Sequence, residues 1–352
     1  MTSLGSVVRE RRFAQVDVFT AQALRGNPLA VVVDAEGLDD ATMAAFARWT
    51  QLSETTFLLP PSDPAADYRV RIFTPGGELP FAGHPTLGSC RVWLDHGGQA
   101  RRADEVVQQC GVGLVRLRRE LETGRLAFQA PALRRRDVDA GLLAAVRAAL
   151  GLAADEVLAA QWLDNGPEWL TLRLPSAARV LAVQPDQVAL KSLAKVGLVG
   201  AHPAGGEADV ELRAFAAPLG VAEDPVTGSL NASVAQWLMA QGVLPERYVA
   251  SQGRALGRAG RIYLQREWRR ALGRWRRGGL HRRHRAALSP ARHAARRRVV
   301  APGAAGRVRV RRRCRHVRPA DDPTAASFLC PGFVCSPPWR LMPDDPWATG
   351  CN

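Results

Sequence analysis

Three short segments of the chain carry groups able to exchange a proton. In EDPVTGSLNAS, residues 223–233, two acids and a proline precede a Thr-Gly-Ser turn and the start of an apolar helical run. One reading is structural, since Asp and Ser open helices and Pro is tolerated where no N–H is needed. The other is chemical: amides at Gly228, Ser229 and Leu230 hold an anion beside Asp224, which exchanges a proton. Glu54, in QLSETTF, lies between an apolar helix and the strand-like FLL. It is either a turn carboxylate or a general base whose proton affinity is raised by burial. His84, in FAGHPT, stands between Gly83 and Pro85, and is either a hydrogen-bonded structural histidine or a proton donor facing Glu54. His96 and His202 occupy ordinary loop contexts. The sequence has neither HExxH nor paired CxxC spacing, so it gives no metal signature.

These residues need a scaffold, and the chain is patterned as an α+β protein. Short strand candidates recur at 13–19, 29–33, 68–73, 112–117, 170–174 and 209–215, several alternating apolar with polar residues. Helical runs suit 39–49, which starts at an Asp cap and aligns Met43, Phe46 and Ala47, and also 86–95, 137–150 and 229–241. In the last of these Leu230, Val234, Trp237 and Leu238 make a stripe read as core. Pro85-Thr-Leu-Gly88-Ser89 and Pro225-Val-Thr-Gly228-Ser229 share P-x-x-G-S, each ahead of a helix. That echo implies two similar domains, 13–125 and 126–265, each turning a helix start toward a shared cleft, where partial positive ends and spare amides suit a carboxylate. Neither segment is a Walker loop, and no G-x-G-x-x-G turn follows the first strand.

At 352 residues and 47% hydrophobic, the chain can build a sizeable core. It has no apolar run of membrane-spanning length and no good secretory signal, and six cysteines in this length do not make a disulfide scaffold. A reducing cytoplasm is therefore expected. The formal charge of +15 comes from one block: residues 266–318 hold twenty Arg and a single acid, Glu267, so the rest of the chain is net acidic. The block contains no Lys and no sustained strand or helix periodicity. It reads as a frame-shifted translation of GC-rich coding sequence, as a disordered tail, or as an arginine-rich nucleic-acid arm.

The segments FAQVDVFTAQALRGNPLAVVVDAEGL, RWTQLSETTFLLP, YRVRIFTPGGELPFAGHPTLGS and EDPVTGSLNASVAQWL together resemble the PhzF phenazine-biosynthesis family, over residues 13–265. The resemblance implies a fold similar to diaminopimelate epimerase, with two related α+β domains, each a mixed sheet around a central helix. It also implies an isomerase with no metal or organic cofactor, cytoplasmic and homodimeric, acting on a small anionic metabolite. The name-giving enzyme moves a hydrogen within a dihydrohydroxyanthranilate. By motif, the family's catalytic groups correspond to Glu54, His84 and Asp224, and its carboxylate-binding residues to Gly83, Gly228 and Ser229. The epimerase relatives use a cysteine pair. Here the turns carry Thr86 and Ser229, and Cys90 reads as a packed helix residue.

The likeness stops near residue 265, so residues 266–352 are expected to be aberrant or disordered, leaving the second domain incomplete with open sheet edges. Two rival functions follow from the same sequence. One is a binding protein that keeps the fold without turnover; the other is a nucleic-acid-binding protein acting through the arginine block, which no motif in the body supports.

Overall fold

The computed structural model describes residues 10–267 and the backbone of 296–301. In the first half, β1 (Phe13–Val18) and β2 (Asn27–Val32) lead to α1 (Asp40–Thr50), followed by β3 (Thr55–Leu59), β4 (Tyr68–Thr74) and the short β5 (Gly77–Leu79). Helix α2 (Gly83–Asp95) then precedes β6 (Glu105–Cys110), β7 (Gly113–Arg119) and β8 (Leu126–Gln129). The second half runs through β9 (Arg134–Arg136), α3 (Ala140–Ala149), β10 (Ala159–Asp164) and β11 (Glu168–Arg173). Two short helices, α4 (Ala177–Ala182) and α5 (Gln187–Lys191), lead to β12 (Val196–Ala201) and β13 (Val210–Phe215). It finishes with α6 (Gly228–Ala240), β14 (Arg247–Gln252), β15 (Gly260–Glu267) and β16 (Arg296–Ala301).

The two halves repeat one pairing scheme. From β1 the neighbours are antiparallel to β2, parallel to β3, antiparallel to β4, parallel to β6 and antiparallel to β7. From β10 the same alternation runs through β11, β12, β13, β14 and β15. A side-chain clasp recurs as well. Asp67 and Val107 exchange two hydrogen bonds of 2.7 Å each, and Asp209 and Val249 do the same at 2.8 and 2.7 Å. Each half-sheet curls around one buried helix, α2 or α6, giving the mixed α+β, two-domain epimerase-like architecture expected from the sequence. Strands β8 and β16 join the half-sheets edge to edge.

Local chemistry explains most of these elements. Asp39 caps α1 by accepting from the Thr42 amide at 2.8 Å, and Met43 and Ala47 are buried on its inner face. Strand β12 carries two glycines, and both are packing requirements. A Cβ at Gly197 would sit 2.5 Å from Leu230, and one at Gly200 would sit 2.3 Å from the Ser176 carbonyl.

Two expectations change. Helix α2 begins at Gly83 rather than 86, because Pro85 fits in a first turn that needs no N–H there. The P-x-x-G-S echo is therefore out of register. Gly228 opens α6, whereas Gly88 lies inside α2, where a Cβ would meet Leu29 and Val18 at 2.5 and 2.9 Å. The residues equivalent to Gly228–Ser229 are Gly83–His84. At the far end, β15 runs to Glu267 and pairs with β16, which also pairs with β8, so this edge of β15 is covered. The expected boundary at 125/126 falls just before β8, a strand bonded to both β7 and β16. Apart from Arg266, Glu267 and β16, the reading of 266–352 as aberrant lies outside the described residues.

Candidate active site

The two central helices meet start to start. Neither is capped by a side chain: the N-caps are Ala82 and Thr227, both extended and without a side-chain bond to the first turn. The first amides joining the helical ladder are Thr86, to the Ala82 carbonyl at 3.2 Å, and Asn231, to the Thr227 carbonyl at 3.1 Å. The amides of Gly83 and His84, and of Gly228, Ser229 and Leu230, precede those ladders and point out of the helix ends. A Cβ on Gly228 would lie 3.3 Å from the Phe19 ring and 3.9 Å from the Gly83 Cα, and one on Gly83 would lie 3.2 Å from Phe128. Glycine is needed here for close approach, since neither residue has positive φ.

Glu54 is delivered by the short link between α1 and β3, after Gln51 ends the helix in the left-handed region at φ 54°. Its Oε2 lies 3.5 Å from His84 Nε2, with side chains only 16% and 7% exposed. Neither atom has a hydrogen-bond partner among the described residues, so the contact is close without being a formed hydrogen bond. Burial raises the Glu54 carboxyl, opposed by a hydrogen bond from Ser53. Burial also lowers His84, to about 4, against the opposing effects of the Asp224 charge and a bond to the Pro28 carbonyl. Both shifts favour neutral forms. The bond to Pro28 makes a neutral imidazole the donor at that nitrogen, leaving Nε2 as an acceptor turned toward Glu54.

Asp224 completes the group. Its Oδ2 accepts from the Thr227 hydroxyl at 2.6 Å, and its Oδ1 accepts from Asn27 Nδ2 at 3.1 Å. Burial raises this carboxyl and nearby Glu54 adds to the effect, while Thr227, His84 and Asn27 oppose it. Gln252 fixes the loop around it, donating to the Thr227 hydroxyl at 2.9 Å and the Asp224 carbonyl at 3.0 Å while accepting from the Thr227 amide at 3.0 Å. The structure thus gathers Glu54, His84 and Asp224 with Gly83, Gly228 and Ser229 at one junction.

Asn27, Thr227 and Gln252 were not singled out from sequence. Asn27 lies in the GNP of the first strand pair, and its side chain crosses to the second half, also bonding the Val226 carbonyl at 2.9 Å. Asn at a strand start before Pro was the one available signal. His202 lies in the loop after β12, as expected, and contacts buried Glu211 at 3.1 Å and Ser251 at 3.0 Å. Cys90 is a packed residue whose thiol burial pushes up to about 12. Among the described residues no group of three or more His, Cys, Asp or Glu is placed to hold a metal ion, and no helix is long and apolar enough to cross a membrane.

Known proteins share this architecture and sequence. Antisense-enhancing sequence 1 of Schizosaccharomyces pombe is 36% identical over 260 residues, 71% of this chain and 88% of that protein. The trans-2,3-dihydro-3-hydroxyanthranilate isomerase of Pseudomonas aeruginosa is 32% identical over 263 residues, covering 73% and 90%. Among solved structures, a Bacillus anthracis PhzF-family protein aligns with a TM-score of 0.69 at 18% identity, over 84% of this chain and 96% of that one. A hydroxyproline epimerase from Agrobacterium vitis shares the fold at a TM-score of 0.52 and 13% identity, over 84% and 91%. The phenazine biosynthesis-like protein family, PhzC-PhzF, matches residues 16–276, and the chain belongs to this family of isomerases.

Proposed function

We propose that the protein is an isomerase in which Glu54 relocates a proton within a small carboxylate-bearing metabolite. The observation that carries this reading is the facing pair of buried atoms, Glu54 Oε2 and His84 Nε2, 3.5 Å apart and without hydrogen-bond partners, beside two uncapped helix starts. A buried carboxyl with raised proton affinity is suited to exchanging protons with carbon. In its ionised form Glu54 takes a proton from one carbon, the electron pair delocalises into the substrate's unsaturation, and Glu54 returns the proton to another carbon. One C–H bond breaks and one forms, with no net change in atoms or charge. The amides of Gly83, His84, Gly228 and Ser229 hold the substrate carboxylate, and His84 and Asp224 polarise the adjoining hydroxyl or amine.

The Pseudomonas aeruginosa relative supplies a first substrate to try, trans-2,3-dihydro-3-hydroxyanthranilate. The full chain incubated in deuterium oxide with this compound and a panel of unsaturated cyclic amino and hydroxy acids is expected to incorporate deuterium at carbon in at least one of them, and Glu54→Gln to abolish it. Exchange into none of the panel, or exchange undiminished in Glu54→Gln, overturns the proposal.

A further inference from the structure

The repeat in pairing lets individual positions be matched between halves. In the parallel pair β2–β3, Ala30 aligns with Thr55; in the parallel pair β11–β12, Leu170 aligns with Val196. Stepping back one residue, Glu54 in the first half corresponds to Lys195 in the second. Side-chain parity agrees. Thr56 meets Ser89 of α2 at 2.8 Å, so Glu54 shares the face of β3 that looks at α2. Gly197 abuts Leu230 of α6, so Lys195 shares the face of β12 that looks at α6. At the second position of each helix His84 likewise corresponds to Ser229. Equivalent stations thus carry Glu and His in one half, Lys and Ser in the other.

Trp169 stands between Lys195 and Ser229. The Lys195 ammonium lies 5.2 Å from the indole centroid, and Trp169 Nε1 donates to Ser229 Oγ at 3.1 Å. An indole N–H is only a donor, so the serine oxygen accepts and its own proton is left to point elsewhere. Asn165 Nδ2 fixes the same residue through its carbonyl at 3.0 Å. A cation over the ring face draws π density and makes the N–H a stronger donor. The carboxylates nearest in charge to Lys195, Glu168 and Asp164, are engaged by Arg136 and Arg134. The chain has only two lysines, at 191 and 195, among 48 basic residues. The compact ammonium suits the half-buried perch above Trp169.

We infer that Lys195 is a positioning residue which, through Trp169, readies the Ser229 hydroxyl to donate to the substrate carboxylate, making it the anion-binding counterpart of Glu54. This rests on the reading that the carboxylate sits at the two helix starts.

The test uses 3-hydroxyanthranilate, an aromatic carboxylate that cannot isomerise, and 2-aminophenol, which lacks the carboxylate. Binding of both to the full chain is measured by calorimetry at about 20 mM and about 500 mM salt. Lys195→Met is expected to weaken 3-hydroxyanthranilate about fivefold at low salt, less at high salt, and to leave 2-aminophenol unchanged. Trp169→Phe, which keeps a ring but loses the N–H, is expected to reproduce the loss. Combining Lys195→Met with Ser229→Ala is expected to add nothing to Ser229→Ala alone, a coupling that a packing role would not produce. Lys195→Met within about twofold of wild type, equal loss for both compounds, or additive effects overturns the inference while leaving the carboxylate site standing. Wild-type protein showing no preference for 3-hydroxyanthranilate over 2-aminophenol instead overturns the carboxylate site, and the inference with it.

Discussion

The two halves of this protein share a scaffold and differ in what they attach to it. Both wrap a half-sheet around a buried helix whose uncapped start faces the other, and both use an Asp–Val clasp at the same place in the sheet. The first half puts Glu54 and His84 against its helix start, at 3.5 Å. The second brings Asp224 on a loop held by Thr227, Gln252 and, from across the junction, Asn27. Duplication of the fold accounts for the symmetric part, two sets of spare amides converging on one point. Divergence at equivalent stations accounts for the asymmetric part, a titrating pair opposite a hydrogen-bonded carboxylate. The proposed proton relocation through a single carboxylate uses that asymmetry, with Glu54 as the exchanging group and the second half supplying hydrogen bonds.

The largest effect that separates the halves is expected at Glu54. Glu54→Gln keeps shape and removes the exchangeable carboxylate, so deuterium incorporation is expected to fall by about 100-fold or more with folding intact. A rate within about twofold of wild type would remove Glu54 from the chemistry.

Asp224→Asn is next. Both carboxylate oxygens already accept hydrogen bonds, from Asn27 and Thr227, so the amide disturbs a defined network as well as removing charge. Turnover is expected to drop about 30-fold, and binding of 3-hydroxyanthranilate much less, read as a kcat effect with little change in affinity. Gly228→Val tests the helix-start geometry from the other side. Its Cβ would press on the Phe19 ring at 3.3 Å, and its methyl groups would reach further into the junction, where the Gly83 Cα lies 3.9 Å from that Cβ. Loss here is expected in affinity, about 30-fold, as the amides can no longer approach the carboxylate. An unchanged affinity would place the anion elsewhere.

How much of this was legible in the sequence follows from how local each signal is. Glu54, His84, Asp224 and the glycines each sit in a short motif whose residue types suggest a role, and the helices announce themselves through Asp39 and through apolar periodicity. The α2 start is hidden because Pro85 reads as a helix boundary, whereas the fold places it in the first turn. Asn27 and Asp224 are 197 residues apart, and the match between Glu54 and Lys195 depends on ladder register, so no local pattern reveals either relation. The arginine block hides structure differently. Its RRRVVA has no alternation, yet β16 forms there because β15 and β8 present two edges to satisfy. We propose that the block reflects a shifted reading frame. An alternative frame of the coding DNA near codon 266 is expected to encode Gly- and Val-rich strands, and a coding sequence without one would contradict this.

The titrating half also makes a prediction about pH. The His84 value falls from 6.5 in the unfolded chain to about 4 in the fold, so the native state resists the proton that the unfolded state accepts. Stability contributed by His84 is therefore complete above 6.5 and lost as pH falls through that window toward about 4. Glu54 acts in the opposite sense. Its raised carboxyl is most compatible with the fold at low pH, and the stability it contributes fades as pH rises through its folded value. Denaturant midpoints measured from pH 4 to 8 should show His84→Asn flattening the acid side and Glu54→Gln flattening the rise in cost toward neutral pH. Unchanged profiles would mean that neither group is buried in the folded protein.

Among substitutions of the residues gathered at the junction, the smallest effect is expected at Ser229, and it sharpens the division of labour most. Ser229→Ala leaves the backbone amide in place and removes only the hydroxyl, so the anion keeps its main ligand. It also strands the Trp169 N–H, which now donates to Ser229 at 3.1 Å and is buried with its ring. Affinity for 3-hydroxyanthranilate is expected to fall about tenfold, less than for Gly228→Val, with kcat almost unchanged. In the first half the corresponding position is His84, whose loss is expected to lower kcat rather than affinity. If Ser229→Ala instead lowers kcat as far as Glu54→Gln does, the hydroxyl takes part in proton transfer. Both halves would then be titrating halves, and the contrast between them would have to be redrawn around two acid–base groups.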